Sequence, residues 1–85
     1  MRLEFEPQAF EDVRHWLQFD RKKLGKVFEL LEDAMRQPFT GLGKPEPLKH
    51  QLSGCWSRRI DQEHRLVYRV DKDILIVLSC RYHYS

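Results

Sequence analysis

Leu3 and Phe5 alternate with Arg2 and Glu4, the period-two spacing of a short strand with one apolar side. The period then changes. After Pro7, the residues Ala9, Phe10, Val13, Trp16 and Leu17 recur at three- and four-residue spacing, which predicts a helix with one apolar face. Pro7 suits the first helical position, where its missing N–H has no helical partner to lose. Leu24, Val27, Phe28, Leu31, Ala34 and Met35 repeat the spacing after Asp20, whose carboxylate can accept from the open N–H groups of a helix start. Gly25 weakens this second helix by about 1 kcal/mol relative to alanine, and Pro38 ends it. The short connection at Phe19 and Asp20 makes the two helices antiparallel neighbours. His15 fits a surface histidine and Trp16 a core aromatic.

Residues 38–47 form a loop rich in glycine and proline. It contains no phosphate-cradling glycine motif. Beyond it, Trp56 to Ile60, Arg65 to Val70 and Ile74 to Cys80 have the composition of three strands, joined by short turns at Asp61 to His64 and Asp71 to Asp73. The pattern predicts an α+β fold: a small antiparallel sheet with two N-terminal helices packed on one face, in the order β-α-α-β-β-β.

Residues paired across a ladder share a face, so turn length predicts which residues meet. A three-residue turn at Asp71 to Asp73 pairs Val70 with Ile74, Tyr68 with Ile76 and Leu66 with Leu78. Continuing back pairs Leu66 with Ile60 and Tyr68 with Arg58, and brings Trp56 onto the same apolar, helix-facing side. The opposite face then collects Arg59, Arg65, Val67, Val77, Ser79, Arg81 and, if the strand continues that far, His83. The same parity separates Cys55 from Cys80.

At 85 residues, with 41% hydrophobic and 33% charged, the chain has the balance of one soluble globular domain spanning residues 1–85. Two distant cysteines without C-x-x-C spacing give neither a disulfide framework nor a zinc site, and fit a reducing cytoplasm. The N-terminus has no apolar signal region, and the longest aliphatic run, Ile74 to Leu78, is too short to span a bilayer. The formal net charge of +2 is unevenly spread. Residues 1–40 carry seven Lys/Arg against eight Asp/Glu, residues 41–69 six against three, and residues 70–85 two against two. The excess belongs to the middle of the chain, as either a site for an anionic partner or a solvated basic surface.

That middle stretch also concentrates the chemistry. Glu46 lies between Pro45 and Pro47, which stiffen the backbone carrying its carboxylate, among Lys44, Lys49, Arg58, Arg59 and Arg65. Arg58 fits a structural role at the helix interface or in solvent. His50 and His64 lack metal-ligand spacing and fit structural roles too. The chain ends in Cys80-Arg81-Tyr82-His83-Tyr84-Ser85, adding an imidazole and phenols. One carboxylate, one imidazole and several guanidinium groups can cleave RNA without a metal: a base takes the 2′-hydroxyl proton, an acid protonates the leaving 5′-oxygen, and fixed cations stabilise the phosphorane.

The run Gly43-Lys44-Pro45-Glu46-Pro47-Leu48-Lys49, then Leu52-Ser53-Gly54, Trp56-Ser57-Arg58-Arg59-Ile60, Glu63-His64-Arg65-Leu66-Val67-Tyr68 and Cys80-Arg81-Tyr82-His83-Tyr84 closely resembles the YoeB/Txe family. These are toxins of bacterial toxin–antitoxin pairs within the RelE group. The resemblance covers the C-terminal half in order and spacing. The N-terminal half agrees in length and helix pattern. Cys55 stands where the family often has a larger apolar residue, and Ser85 extends the usual terminus by one.

The resemblance implies a RelE-like fold and a metal-independent, cofactor-free endoribonuclease that cuts mRNA in the A site of the 70S ribosome. By the same resemblance Glu46 is the general base, His83 the general acid, and Arg59 and Arg65 the phosphate-stabilising pair. Lys49 and the catalytic-site phenol of Tyr84 position the substrate, with Lys44 and Arg81 as further substrate-binding cations. The implied partners are a YefM/Axe-like antitoxin, operator DNA through the antitoxin complex, and a second copy of the toxin. Two other classes share the fold: a non-catalytic binding module, and a corepressor acting with the antitoxin. Glu46 with the terminal His83-Tyr84 favours the enzyme.

Overall fold

In the computed structural model, which describes residues 1–82, the changes of period fall where strand gives way to helix. β1 (Arg2–Phe5) leads into α1 (Pro7–Phe19) and α2 (Arg21–Arg36). Pro7 opens α1, and the Asp20 carboxylate accepts from the Lys23 N–H at 3.2 Å to cap α2. Gly25 lies exposed on α2 with open space around it, so it weakens the helix without interrupting it. The Lys23 ammonium, 3.4 Å from Asp20 and 2.9 Å from Asp61, ties the start of α2 to the sheet.

The chain continues through β2 (Glu46–Pro47), a single 3-10 turn at His50–Leu52, β3 (Trp56–Arg59), β4 (Arg65–Asp71) and β5 (Ile74–Ser79). The strand order is β1-β5-β4-β3-β2. The α+β fold with two helices on one sheet face is therefore as expected, with two additions. Glu46 and Pro47 leave the predicted loop to pair with Ser57 and Trp56, on an edge where proline's missing N–H is tolerated. β1 runs parallel to β5, because the helical layer carries the chain across the sheet between them.

Register departs from expectation at both turns. β3 and β4 pair as Trp56–Tyr68, Arg58–Leu66 and Arg59–Arg65, two residues from the predicted alignment, a shift that leaves every side chain on its predicted face. The β4–β5 turn has two residues, Lys72 and Asp73, with Lys72 at φ 57°, and pairs Asp71 with Ile74. That one-residue shift exchanges the faces of β5. Leu75 and Val77, both fully buried, join the helix-facing core in place of Ile76 and Leu78. A bulge at Val67/Tyr68 then pairs Val67 with Ser79.

The main core gathers Trp16, Val27, Leu30 and Leu31 from the helices against Leu66, Tyr68, Leu75 and Val77. Leu48, Cys55 and Val67, joined by Leu52 and Leu78, form a smaller cluster that includes the far-face residue Val67. Cys55 and Cys80 are free thiols in different clusters, apart as expected, although the exchanged faces of β5 mean that strand parity is not what separates them. Burial, assisted by the Asp12 carboxylate, pushes the Cys80 thiol up to about 12, making it a core group rather than a nucleophile. Trp16 is buried as predicted, and its indole N–H donates to the Cys80 carbonyl at 2.8 Å. Phe10 and Leu17 are exposed: the apolar stripe of α1 is wider than the sheet it covers.

Arg58 is completely buried. Its Nη1 donates to Asp33 Oδ2 at 2.7 Å and to the Leu42 carbonyl at 3.0 Å; its Nη2 donates to the carbonyls of Gln37 and Thr40, and its Nε to the Tyr68 hydroxyl. The Tyr68 hydroxyl in turn donates to the Pro38 carbonyl at 2.6 Å. One guanidinium thus binds α2, the following loop, β3 and β4. The role at the helix interface is confirmed, and Arg58 leaves the set of cations around Glu46.

Truncating Arg58 to alanine should cost about 3–5 kcal/mol, because it strands the Asp33 carboxylate and several carbonyls. Arg58→Lys should recover little, since an ammonium has three donors where five are used. Urea unfolding measures both. The Leu42 N–H, the Gln37 amide and Arg58 hold Asp33 far below its ordinary 3.8. At Asp61 burial opposes ionisation, but Lys23 and the N–H groups of His64 and Glu63 outweigh it and lower the carboxyl to about 2. Both carboxylates stabilise the fold above their unfolded value, and that stabilisation is lost as pH falls from 3.8 through the folded values. The melting temperature should therefore drop steeply below pH 4. A flat profile from pH 5 to pH 2 would remove these carboxylates from the account.

Candidate active site

The loop before β2 turns sharply at Gly43 (φ 79°) and Lys44 (φ 53°). Gly43 is needed twice over. Its φ lies in the left-handed region, and an added Cβ would sit 2.8 Å from Leu30 Cδ2 and 3.2 Å from the Arg59 carbonyl oxygen. This close approach lets the Gly43 carbonyl accept from the Arg59 N–H at 2.7 Å, which anchors the loop beside one candidate cation before it delivers Glu46. Glu46 then pairs with Ser57, and the Leu48 N–H donates to the Cys55 carbonyl at 2.9 Å, holding the edge to β3.

Alternation along the strands places Glu46, Ser57, Arg59, Arg65 and Val67 on the face turned away from the helices. Glu46 and Lys49 also line one open cavity of about 670 Å³, together with His50. Lys44 is exposed on the approach to this cavity and is not among its lining residues. His50 sits at φ 59°, starts the 3-10 turn and shares the cavity, so it is closer to the candidate chemistry than its sequence spacing suggested.

Arg59 and Arg65 face each other directly across the β3–β4 ladder. Like charges in that position destabilise a sheet. An anion between them would reverse the sign. The Arg65 Nη1 donates to the carbonyls of Asp61 at 2.7 Å and His64 at 3.0 Å, so its guanidinium is held by backbone oxygens rather than by a carboxylate. Arg59 is exposed. Neither arginine is in a salt bridge among the described residues. Arg69 continues this face two residues beyond Val67, and its charge partly offsets the burial that raises the Cys55 thiol. Alternation along β4 was the signal that would have included it.

Arg81 does not follow the predicted parity. It lines a cavity along α1 with Glu11, Asp12 and His15, and its guanidinium carbon lies 4.6 Å from the centre of the Tyr82 ring. Val77, also expected beside the arginines, is in the main core. His83 and Tyr84 lie outside the described residues, but the segment leading to them is held. The Tyr82 N–H donates to His64 Nδ1 at 2.7 Å, and the Arg65 N–H donates to the Tyr82 carbonyl at 3.1 Å. His64 is structural as expected, with a specific task its spacing did not reveal. Among the described residues, no group of three or more His, Cys, Asp or Glu side chains is arranged to hold a metal ion.

The model of the YoeB-like toxins of bacterial type II toxin–antitoxin systems matches residues 5–84. The toxin YoeB of Escherichia coli K12 is 51% identical over 84 residues, covering 99% of this chain and all of that one. A YoeB/ParE toxin from Agrobacterium tumefaciens superposes with a TM-score of 0.96 at 45% identity, covering 99% of this chain and all of that one. Two Staphylococcus aureus structures each cover 99% of this chain and 98% of theirs at 48% identity: a YoeB dimer (TM-score 0.92) and YoeB within a heterotetrameric YoeB–YefM toxin–antitoxin complex (0.90).

Gly43→Ala tests the link between loop and site. A left-handed non-glycine residue costs about 1–3 kcal/mol, and here the added methyl also meets Leu30 and backbone. We expect a lower urea midpoint together with amide chemical-shift changes that extend through residues 44–46. Wild-type stability would show that the loop accommodates a side chain there.

Proposed function

Because this chain belongs to the YoeB-like family of toxins of bacterial type II toxin–antitoxin systems, we propose that it is a ribosome-dependent endoribonuclease that cleaves mRNA in the ribosomal A site. The observation that carries the reading is the shared face of Glu46, Arg59 and Arg65, with Lys49 in the cavity that Glu46 lines. A carboxylate beside two opposed guanidiniums suits a phosphodiester whose neighbouring hydroxyl must lose a proton.

In this mechanism Glu46 takes the proton of the 2′-hydroxyl, whose oxygen attacks the adjacent phosphorus. Negative charge on the phosphorane grows between Arg59 and Arg65. Arg65, held by two backbone carbonyls, is in place before the reaction begins, so it stabilises the transition state with little reorganisation. His83 protonates the departing 5′-oxygen, leaving a 2′,3′-cyclic phosphate and a free 5′-hydroxyl. Lys49 and Tyr84 position the substrate, and Lys44 adds attraction for the RNA backbone; Arg81, turned toward α1, leaves the set of substrate-binding cations. No metal or organic cofactor enters the step.

The antitoxin on this reading is a YefM/Axe-like protein whose acidic segment covers the arginine face, and operator DNA is reached through that complex. A second toxin copy is a further partner, and the cytoplasm, where translating ribosomes lie, is the site of action. No helix among the described residues is long and apolar enough to cross a membrane.

The deciding experiment adds purified protein to translating ribosomes and maps mRNA ends, with naked mRNA as control. Cuts within the A-site codon that require the ribosome support the reading; intact mRNA on ribosomes refutes it. Arg65→Ala should abolish cleavage while largely retaining the fold, since its charge acts on the transition state. A 2′-deoxy nucleotide at the cut position should stop the reaction. Replacing the leaving oxygen by sulfur should relieve the need for His83 but not for Glu46, because a thiolate leaves unprotonated. An equal penalty for His83→Ala on both substrates would count against the acid assignment.

A further inference from the structure

His64 is buried, and its ring meets α1 on one side and the carboxy-terminal segment on another. The Trp16 ring on α1 meets it edge-on with centroids 4.7 Å apart, and the Tyr82 ring lies 5.4 Å away. Its own N–H and that of Glu63 are gathered by the Asp61 carboxylate at 2.7 and 2.8 Å, which makes the β3–β4 connection a rigid mount. Its carbonyl accepts from the Arg65 guanidinium. From this mount Nδ1 accepts the Tyr82 N–H at 2.7 Å, while the neighbouring Arg65 N–H grips the Tyr82 carbonyl at 3.1 Å. Both backbone polar groups of Tyr82 are therefore held from residues 64 and 65, and His83 is the next residue in the chain.

We propose that His64 is a positioning residue for the cleavage reaction: its Nδ1 lone pair latches the carboxy-terminal segment to the strand carrying Arg65, so that His83 and Tyr84 start from a fixed point. This rests on the endoribonuclease reading for its functional half only. The latch itself makes a chemical demand. Nδ1 must be unprotonated, so the neutral ring is the Nε2–H tautomer, with Nε2 3.6 Å from the Glu63 carboxylate. Protonating the ring puts a second donor against the Tyr82 N–H and opens the latch.

Among the described residues, the charged and titratable groups around the ring are few. Glu63 and Asp61 come from its own connection, Lys23 reaches Asp61 from α2, and His15 touches the same Trp16 ring from α1. Arg65 binds the His64 carbonyl, and Arg81 stacks on Tyr82.

The test uses ¹⁵N NMR and hydrogen exchange on the full chain beside ribosome-dependent cleavage. In the wild type we expect the Nε2–H tautomer, and a Tyr82 amide whose protection is lost as the His64 ring signals report protonation. His64→Leu keeps the apolar packing without the acceptor. It should lose Tyr82 protection and about 10²-fold in kcat, the scale of a misplaced catalytic group, with KM and antitoxin binding retained. His64→Asn, whose amide oxygen can stand in for Nδ1, should recover much of both. An Nδ1–H tautomer, or a Tyr82 amide indifferent to His64 protonation, would overturn the latch. So would His64→Leu cleaving at the wild-type rate with Tyr82 unprotected, or His64→Asn matching the leucine variant in both readouts. Should His64→Leu not fold, the tautomer, the titration and His64→Asn decide the matter. If the wild type cuts no mRNA while the latch behaves as described, the function fails and the latch stands.

Discussion

The burial of one guanidinium is the constraint on which the rest of this structure depends. Arg58 enters the space between α2 and the sheet with no solvent contact, and a charge there is tolerated only when every donor finds an oxygen. Asp33 supplies the opposite charge; Gln37, Thr40 and Leu42 supply carbonyls; Tyr68 supplies a hydroxyl. Three of those oxygens lie on the chain just after α2, where no regular ladder would satisfy them. The ion pair therefore does the work of a secondary structure for residues 37–42. It shapes the loop that passes through Gly43 to Glu46.

This arrangement explains how a small sheet can have two different faces. The helix side holds the larger core, and Arg58 belongs to it by strand alternation. The next residue, Arg59, necessarily points the other way. There it meets Arg65 with only a modest apolar cluster beneath the edge. Neighbouring arginines thus have opposite fates: one is consumed by the fold, and the other is exposed on the far face. The repulsion between Arg59 and Arg65 is a local cost that the larger core can offset.

The histidines divide in a similar way. His50 stands at a backbone angle uncommon for a side chain and opens onto the cavity beside Glu46 and Lys49. His64 is enclosed between Trp16 and Tyr82, and acts through a backbone amide. Both are adjacent in sequence to a candidate functional residue, Lys49 and Arg65. The fold thus places an imidazole next to each half of the cationic site, one exposed and one buried.

Much of this was legible in the residues alone. Periodicity and composition located both helices and every strand but β2; Pro7 and Asp20 marked the helix starts, and strand alternation put Arg59 and Arg65 on one face. The face of β5 was not legible, because every residue from Ile74 to Leu78 is aliphatic and hydrophobicity cannot choose between two registers. A two-residue turn with Lys72 at positive φ made that choice. The short strand at Glu46–Pro47 was equally hidden, since two residues carry no period and prolines signal a loop; pairing with β3 created it. Arg58 and Arg59 look alike in sequence. Only the packing of α2, which brings Asp33 over one strand position and not the next, decided that the first is buried and paired and the second exposed.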